Sequence, residues 1–378
     1  MNHQIYHYKI NESTSDKIIF ATLTSRIMNA VAHEIYMRRC IELARKGLGK
    51  VAPNPMVGAV LVHNNRIIGE GYHQEYGKAH AEVNCINSVS ADNKYLIADS
   101  TIYVSLEPCA HYGKTPPCAD LIVASNIKKV VIGCADPFEA VNGKGIAILK
   151  NAGIDVITGV LETECKKLIK RFTTYHLGKR PYIVLKWAES NDGIIAKVNE
   201  RTAISNALSN RLVHRWRSEE QAILVGTNTA IIDNPKLNSR LFPGRDPLRI
   251  VIDRQNKLDG SNHLLSDDLP TIVLNDHLNK TNNRKQFIAV DASESESAFL
   301  EKSILKLYEA GITSILVEGG AKTLQSFIDA GLWDEARVIT NATLNLQNGI
   351  DAPRLLNSTL IKTLFLDTDR IQYYTRSL

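Results

Sequence analysis

The chain places His80-Ala81-Glu82, then Glu107-Pro108-Cys109, then Cys118, in an order and at spacings that can do zinc chemistry. One His and two Cys complete a catalytic zinc set, because a tetrahedral ion that does chemistry takes three protein ligands and leaves its fourth position to water. Glu82 is then free for something other than ligation. Two residues past the ligand His at a helix start, its carboxylate can take a proton from that water and deliver it to a departing nitrogen. This order of groups is the one used to hydrolyse an amino group off a nitrogen heterocycle. Taken singly, an H-A-E string is a common accident and a Cys pair is commonly buried packing. Cys109 falls 27 positions after Glu82, directly behind a Pro, and the parts then fit one plan.

That plan is helix, strand, helix. Ile102-Tyr103-Val104-Ser105-Leu106 is short, apolar and rich in β-branched and aromatic residues, which predicts a buried strand ending where the metal loop begins. His80 to Ile86 has helical spacing, with Ala79, Val83 and Ile86 on one face, and the positive end of that helix favours an anionic Glu82. Eight residues, Ala110 to Pro117, separate the two Cys, where deaminases commonly have two. Their Gly and two Pro fix a path, and their polar side chains suit a wall of the substrate pocket. His111 offers a rival reading, as a fourth ligand closing a zinc site without catalysis.

The surrounding pattern predicts helices over 33–48, 119–125 and 147–152. Strands are predicted over 57–62, 66–72, 129–134 and 155–158, the first two joined through His63-Asn64-Asn65 as a hairpin. A charged helix over 161–177 runs into Gly178-Lys179-Arg180-Pro181, which marks a domain boundary. At 378 residues the chain is too long for one comfortable core, so we expect an extension over 1–32 and domains over 33–178 and 179–378. Strands over 182–186, 222–225, 249–252, 271–274 and 314–317 are predicted in the second half. A helix over 206–218 there carries Arg211, His214, Arg215 and Arg217. The last strand leads into Glu318-Gly319-Gly320 and a helix, a junction whose backbone N–H groups could bind phosphate. No G-x-G-x-x-G occurs, which disfavours a dinucleotide-binding Rossmann unit.

A net charge of +5 spread over 45 basic and 40 acidic residues, with 6% aromatics, argues against a dedicated nucleic-acid surface. No run nears the roughly 20 apolar residues of a membrane span, and the first 30 residues read as neither secretory nor transit peptide. Residues 1–27, ahead of Met28, read as an upstream extension with little structural role. The six Cys are too sparse for a disulfide-stapled domain, so a reducing, cytoplasmic setting is expected. Cys40, Cys85 and Cys134 read as core residues; Cys165, in a polar helical stretch, has no assigned role.

The strings APNPMVGAV, HAEVNCI and EPCAHYGKTPPC closely resemble the deaminase half of the bifunctional riboflavin-biosynthesis deaminase/reductase family, over residues 33–178. The resemblance implies a cytidine-deaminase-like three-layer α/β/α domain and a pyrimidine substrate carrying a phosphoribosylamino group. By position, it assigns zinc to His80, Cys109 and Cys118, catalysis to Glu82, and substrate contacts to Asn54, His73 and Lys114. Residues 180–378 resemble the reductase half through Lys186 with Ser190, Asp192 and Gly193, Val225 to Thr229, Asp233-Asn234-Pro235, Arg240, and Val317 to Gly320. That half is similar in fold to dihydrofolate reductase, an α/β domain, and uses NADPH. Ala188, Thr229, Asp233, Gly319, Gly320, Ala321, Lys322, Thr323 and Leu324 then look like cofactor contacts. Lys186, Thr202, Arg217, Leu237, Arg240 and Glu318 look like contacts to the phosphoribosyl substrate, where two Arg can fork onto phosphate and a carboxylate can hold sugar hydroxyls. Lys186, Glu318 and solvent are the candidate acids for hydride transfer. The chain departs from the family at Ala203, which stands where an aromatic is common. A base-editing enzyme of nucleic acid would share the zinc chemistry but leave the reductase half idle. A homo-oligomer acting on a small molecule, with no nucleic-acid or membrane partner, is expected.

Overall fold

The computed structural model describes residues 31–112, 116–139, 141–291 and 295–377; Lys114 and residues 1–30 of the expected extension lie outside them. The chain forms two compact units that interleave in sequence. One holds the helix through Lys46 with Val57–His73 and Ala79–Lys166; the other holds Gly47–Met56, Gln74–Lys78 and Lys167–Leu378.

In the first unit, α1 (31–45) leads to the hairpin β1 (Gly58–His63) and β2 (Arg66–Tyr72), then α2 (Ala81–Asn87), β3 (Thr101–Leu106), α3 (Cys118–Ala124), β4 (Lys129–Cys134), α4 (Lys144–Asn151), β5 (Asp155–Thr158) and α5 (Glu162–Leu168). Asn64 and Asn65 both take left-handed backbone, as a two-residue hairpin turn requires. The sheet order is β2-β1-β3-β4-β5, with β3, β4 and β5 parallel. Alternation along each strand builds three layers. Ala59, Leu61, Ile102, Val104, Val130 and Ile132 pack with Ala81 and Cys85 of α2, Ile122 of α3 and Leu149 of α4. On the opposite face, Cys40 of α1 donates to the Tyr103 carbonyl, and Cys165 of α5 lies against Gly133. Cys165 is thus fully buried, a core role that its polar neighbours in sequence conceal. At Gly71 a Cβ would lie 2.2 Å from Cys85 N, so only Gly lets α2 approach the sheet this closely.

The predicted helix over 161–177 is two helices, α5 and α6 (Lys170–Gly178), broken at Ile169. The break lets the two halves serve different cores. Cys165 stays with Gly133 of the first unit, while α6 packs on β6 (Tyr182–Ser190) of the second. Two of the basic residues of α6 are partners, not solvated charge: Lys170 pairs with Glu335 at 2.5 Å and Arg171 with the fully buried Glu220 at 2.7 Å.

The second unit continues with β7 (Ile194–Ala196), α7 (Ala207–Glu219), β8 (Ala222–Gly226), α8 (Thr227–Asp233), β9 (Leu248–Ile252), α9 (His263–Ser266), β10 (Thr271–Asn275), β11 (Lys280–Asn282), β12 (Lys285–Ala289), α10 (Glu296–Glu309), β13 (Ser314–Val317), α11 (Ala321–Asp329), β14 (Glu335–Asn341), β15 (Ile350–Asp351), β16 (Ser358–Leu366) and β17 (Asp369–Arg376). Its large sheet runs β11-β12-β10-β9-β8-β13-β6-β14-β17-β16, parallel from β12 to β14. The parallel strands are apolar almost throughout because both faces are covered. Ile183, Leu185, Leu224 and Val317 face Phe299 and Leu307 of α10 and Phe327 of α11. Val184 and Leu316 face Val213 and Trp216 of α7, and Ile223 and Val225 face Ala230 of α8. β6 runs four residues past the predicted Lys186 end, and its pairing with β14 sets Lys186 opposite Arg337. Asn206 caps α7 by accepting from Ser209 N at 2.9 Å. Among the described residues no helix is long and apolar enough to cross a membrane.

Candidate active sites

In the first unit, the end of β3, the start of α2 and the start of α3 converge. His80 Nδ1 lies 3.4 Å from Cys118 Sγ and 3.6 Å from Cys109 Sγ, and all three ligand atoms fall within 4.8 Å of one another. Zn–N and Zn–S bonds of usual length at a tetrahedral angle separate N from S by about 3.5 Å, so the donor set has both the chemistry and the spacing for zinc. His111 is not in this group; its ring stands edge-on to Phe138 with centroids 6.1 Å apart. Three protein donors therefore leave a coordination position open among the described residues.

The local folding that makes this site is short-range. Asn84 donates to the carbonyls of Tyr72 at 2.9 Å and Ala79 at 3.2 Å, pinning the start of α2 to the end of β2. His80 is the N-cap residue of α2 and Cys118 the first residue of α3, so both ligands sit at positive helix ends. Cys118 N donates to Cys109 Sγ at 3.3 Å. Hydrogen bonds from Cys118 and His80 outweigh burial and hold the Cys109 thiol down to about 4, the thiolate form that binds metal. Cys118 is pushed up by its bond to Cys109 and by burial. The hydrogen bond to Cys109 raises His80. Glu82 is 3% exposed, and burial, then the charge of Cys109, push its carboxyl up to about 7. A carboxyl poised there can accept and return a proton at neutral pH.

His73 is buried beside the ligands, its Nδ1 3.1 Å from the Ala79 carbonyl and its ring edge-on to His80 at 5.3 Å; burial lowers its pKa. Asn54 lies in the Gly47–Met56 segment that groups with the second unit, in a turn closed by its N–H on Val51 O. Lys114 lies outside the described residues, and Tyr112, at the described edge of the same loop, is exposed.

In the second unit, register brings distant residues together: Val317 pairs with Leu185 on one side and Leu224 on the other, which seats Glu318 beside Lys186. A cleft of about 330 Å³ opens there at the carboxyl ends of the parallel strands, the usual ligand position of an open α/β sheet. Lys186, Ala188, Thr202, Thr229, Asp233, Glu318, Gly320, Ala321 and Leu324 line it, so nine of the expected reductase residues meet. Gly320 has φ +66°, and a Cβ there would lie 3.2 Å from Thr229 Oγ1. Gly319 presses on Val225, where a Cβ would meet another at 2.7 Å. The two Gly thus put the backbone hard against β8 and leave the start of α11 open to a ligand. Ala203 is exposed at the cleft, and Thr202 Oγ1 accepts from Lys197 N at 2.9 Å.

Arg217 is not on a solvated face. Its guanidinium forks onto Glu318 at 2.8 and 2.7 Å with both side chains largely buried, and also donates to Asn238 O at 3.2 Å. The pairing with Arg217 overcomes burial and holds Glu318 down to about 2. Burial lowers Lys186, with Glu318 acting against it. Leu237 is 2% exposed, its side chain in the core with Val225 and Ala230 and its backbone at φ +54°. Its side chain is committed to the core, and its backbone is what remains for a ligand. Arg240 is exposed, donating to Asn238 Oδ1 at 3.0 Å along a separate shallow groove.

A second cleft, also about 330 Å³, adjoins the first through Thr229 and is lined by Thr227, Asn228, Lys322 and Thr323 together with Arg254 and Lys257. The last two are missing from the sequence expectations. Their signal is the end of β9, Ile252-Asp253-Arg254, which reaches the same sheet edge as Val317-Glu318. Asp253 accepts from Lys257 N and Leu258 N at 3.0 and 2.9 Å and so shapes the turn; Arg254 pairs with Asp276 at 2.9 Å and lies over Phe299.

Residues 30–134 match the cytidine and deoxycytidylate deaminase zinc-binding region, and residues 181–366 match the RibD C-terminal domain. The riboflavin biosynthesis protein RibD of Aquifex aeolicus is 40% identical over 302 residues, covering 79% of this chain and 84% of that protein. This chain belongs to the RibD family. The Escherichia coli RibD protein is 34% identical over 86% of this chain and 89% of its own length. A solved Thermotoga maritima structure, described as a diaminohydroxyphosphoribosylaminopyrimidine deaminase/5-amino-6-(5-phosphoribosylamino)uracil reductase, superposes with a TM-score of 0.84 at 37% identity, covering 92% of this chain and 99% of that one. RibD of Acinetobacter baumannii gives 0.83 at 31% identity over 92% and 100%. As a RibD-family member the chain is a bifunctional deaminase and reductase of riboflavin biosynthesis. It joins a cytidine-deaminase-like α/β domain to a RibD reductase domain, and zinc and NADPH are the cofactors that fit them.

Proposed function

We propose that the chain deaminates the diaminopyrimidine carrying a phosphoribosylamino group, 2,5-diamino-6-(5-phosphoribosylamino)pyrimidin-4-one, and then reduces the ribosyl group to ribityl with NADPH. The observation that carries the first half is the His80, Cys109, Cys118 cluster with the buried Glu82 carboxyl against it. Zinc held by these three residues would supply an activated water at neutral pH. Glu82 would take the proton released as water adds to the amino-bearing ring carbon, and return it to the nitrogen that departs as ammonia. His73 sits beside the ligand ring, where it can orient the pyrimidine; Asn54 and Lys114 are its proposed companions.

For the second half, NADPH supplies hydride to the first carbon of the opened sugar. Residues Ala188, Thr229, Asp233 and 319–324 would hold the cofactor, and the second cleft would extend its site, where Arg254 and Lys257 could meet a phosphate. Glu318, held ionised by Arg217, would accept from sugar hydroxyls, and Lys186 beside it is the proposed proton donor. Arg217 uses its fork on Glu318, so its service to the substrate is to keep that carboxylate charged and aimed, while Arg240 is left to meet the phosphate. Thr202 and the Leu237 backbone complete the proposed contacts. We assign deamination to residues 33–178 and reduction to 179–378, and expect a cytoplasmic homo-oligomer with no nucleic-acid partner.

The deciding experiment supplies the diaminopyrimidine substrate with zinc and NADPH and follows ammonia and cofactor absorbance separately. Ammonia released before any NADPH is consumed is the expected order. NADPH consumption without ammonia, or neither signal from zinc-loaded protein, would reject the substrate.

A further inference from the structure

Glu107 is a buried carboxylate that the chemistry above leaves unused. It directly follows β3, two residues before Cys109, and is 3% exposed. Its Oε2 accepts from Asp136 N at 3.2 Å and Gly143 N at 3.0 Å, and its Oε1 from Ile146 N at 3.2 Å. Gly143 is the N-cap of α4, and no side chain of the helix caps it. In an ordinary capping box the N-cap side chain satisfies the N–H of the residue three positions on, while a Glu at that position satisfies the N-cap N–H. Here Gly143 has no side chain and Ile146 has no acceptor. Glu107 does both tasks from a distant point in the chain.

The contact is close on the backbone as well. A Cβ on Gly145 would lie 2.0 Å from the Pro108 carbonyl, so the first turn of α4 is pressed against the residue that separates Glu107 from Cys109. Glu107 N also donates to Cys134 O at 2.9 Å, joining the ends of β3 and β4. One carboxylate therefore ties the exit of β3 to the exit of β4 and to the start of α4, and Cys109 hangs two residues beyond this knot. A chain of two residues spans at most about 7 Å, so where Glu107 is held decides where the Cys109 sulfur can be.

We propose that Glu107 is a positioning residue for zinc. By capping α4 from outside, it holds the Cys109 ligand in register with His80 and Cys118. This rests on the zinc assignment above, and zinc content of the wild-type chain tests that assignment by itself.

The experiment compares zinc release to a chelator, and the visible spectrum of the cobalt-substituted full chain, for wild type and Glu107→Gln. Glutamine keeps the shape but sets an amide NH₂ against backbone donors. Release about 10–100-fold faster, the usual cost of losing an outer-shell support, and an altered cobalt spectrum are expected. A measurement on wild type alone covers the case in which the variant does not fold. Coupling is reciprocal, so removing zinc should speed hydrogen exchange at the Gly143 and Ile146 amides by a similar factor. Wild-type release and spectrum in the variant, or exchange at these amides indifferent to zinc, would overturn the proposal. A wild-type chain that holds no zinc would instead overturn the zinc assignment.

Discussion

At the residue scale, Glu82 is governed by where it is buried. Its carboxyl is raised from 4.5 to about 7 in the folded protein, so the folded state favours the protonated form. The sign follows from linkage: ionising Glu82 costs stability progressively as pH rises from about 4.5 to about 7, and the full cost stands above that. In zinc-free protein, Glu82→Gln should therefore be more stable than wild type at pH 8, by on the order of 3 kcal/mol, and equal to it near pH 4. Hydrogen exchange of β3 and β4 amides reads this directly. With zinc restored, the same variant should bind metal and lose about 10²–10⁴-fold in ammonia release, the share of a positioned proton carrier. Arg217 gives the matching test in the other unit. Arg217→Ala strips the buried Glu318 of its forked partner, so a loss of about 3–5 kcal/mol is expected, together with loss of reduction and retention of deamination. All three Trp lie beyond residue 179, so tryptophan fluorescence during denaturant unfolding reports this loss from the correct unit.

At the element scale, the proposed reductase site is an edge of a sheet. The carboxyl ends of β6, β8, β9 and β13 and the start of α11 line two adjoining clefts, and Thr229 belongs to both. On the proposed reading the cofactor extends into the second cleft, whose lining includes the cations Arg254 and Lys257. Arg254→Ala with Lys257→Ala should weaken NADPH about 10–100-fold and leave NADH almost unchanged, as expected from losing charge-assisted contacts of roughly 1.5–3 kcal/mol. Quenching titrations with the two cofactors measure the ratio; an equal loss for both would move the phosphate elsewhere. The strands of this edge were legible in the sequence because runs such as AILVG and SILV, covered on both faces, are apolar throughout. The strands over 335–341, 358–366 and 369–376 were not predicted. Over 358–366, exposed Leu360, Ile361 and Phe365 blur the period-2 alternation that normally marks a half-buried strand.

At the scale of the whole molecule, the chain forms two compact units, each with its own core and its own candidate site. Stripping zinc with a chelator should stop ammonia release while NADPH oxidation on the already deaminated substrate continues at its former rate; parallel loss of both would tie the second site to the metal. The sequence by itself picked out the candidate zinc set, the candidate proton carrier and the strand–helix alternation, because each rests on residue types at short spacing and on local periodicity. Only the tertiary structure decided which charges are partners. Arg217 and Glu318 stand 101 positions apart, Arg171 and Glu220 49, and Glu107 and Ile146 39, and a helix rich in Arg and Lys looks the same in sequence whether it faces water or a buried carboxylate. Long-range register and burial make that choice, and neither is written in any local stretch of the chain.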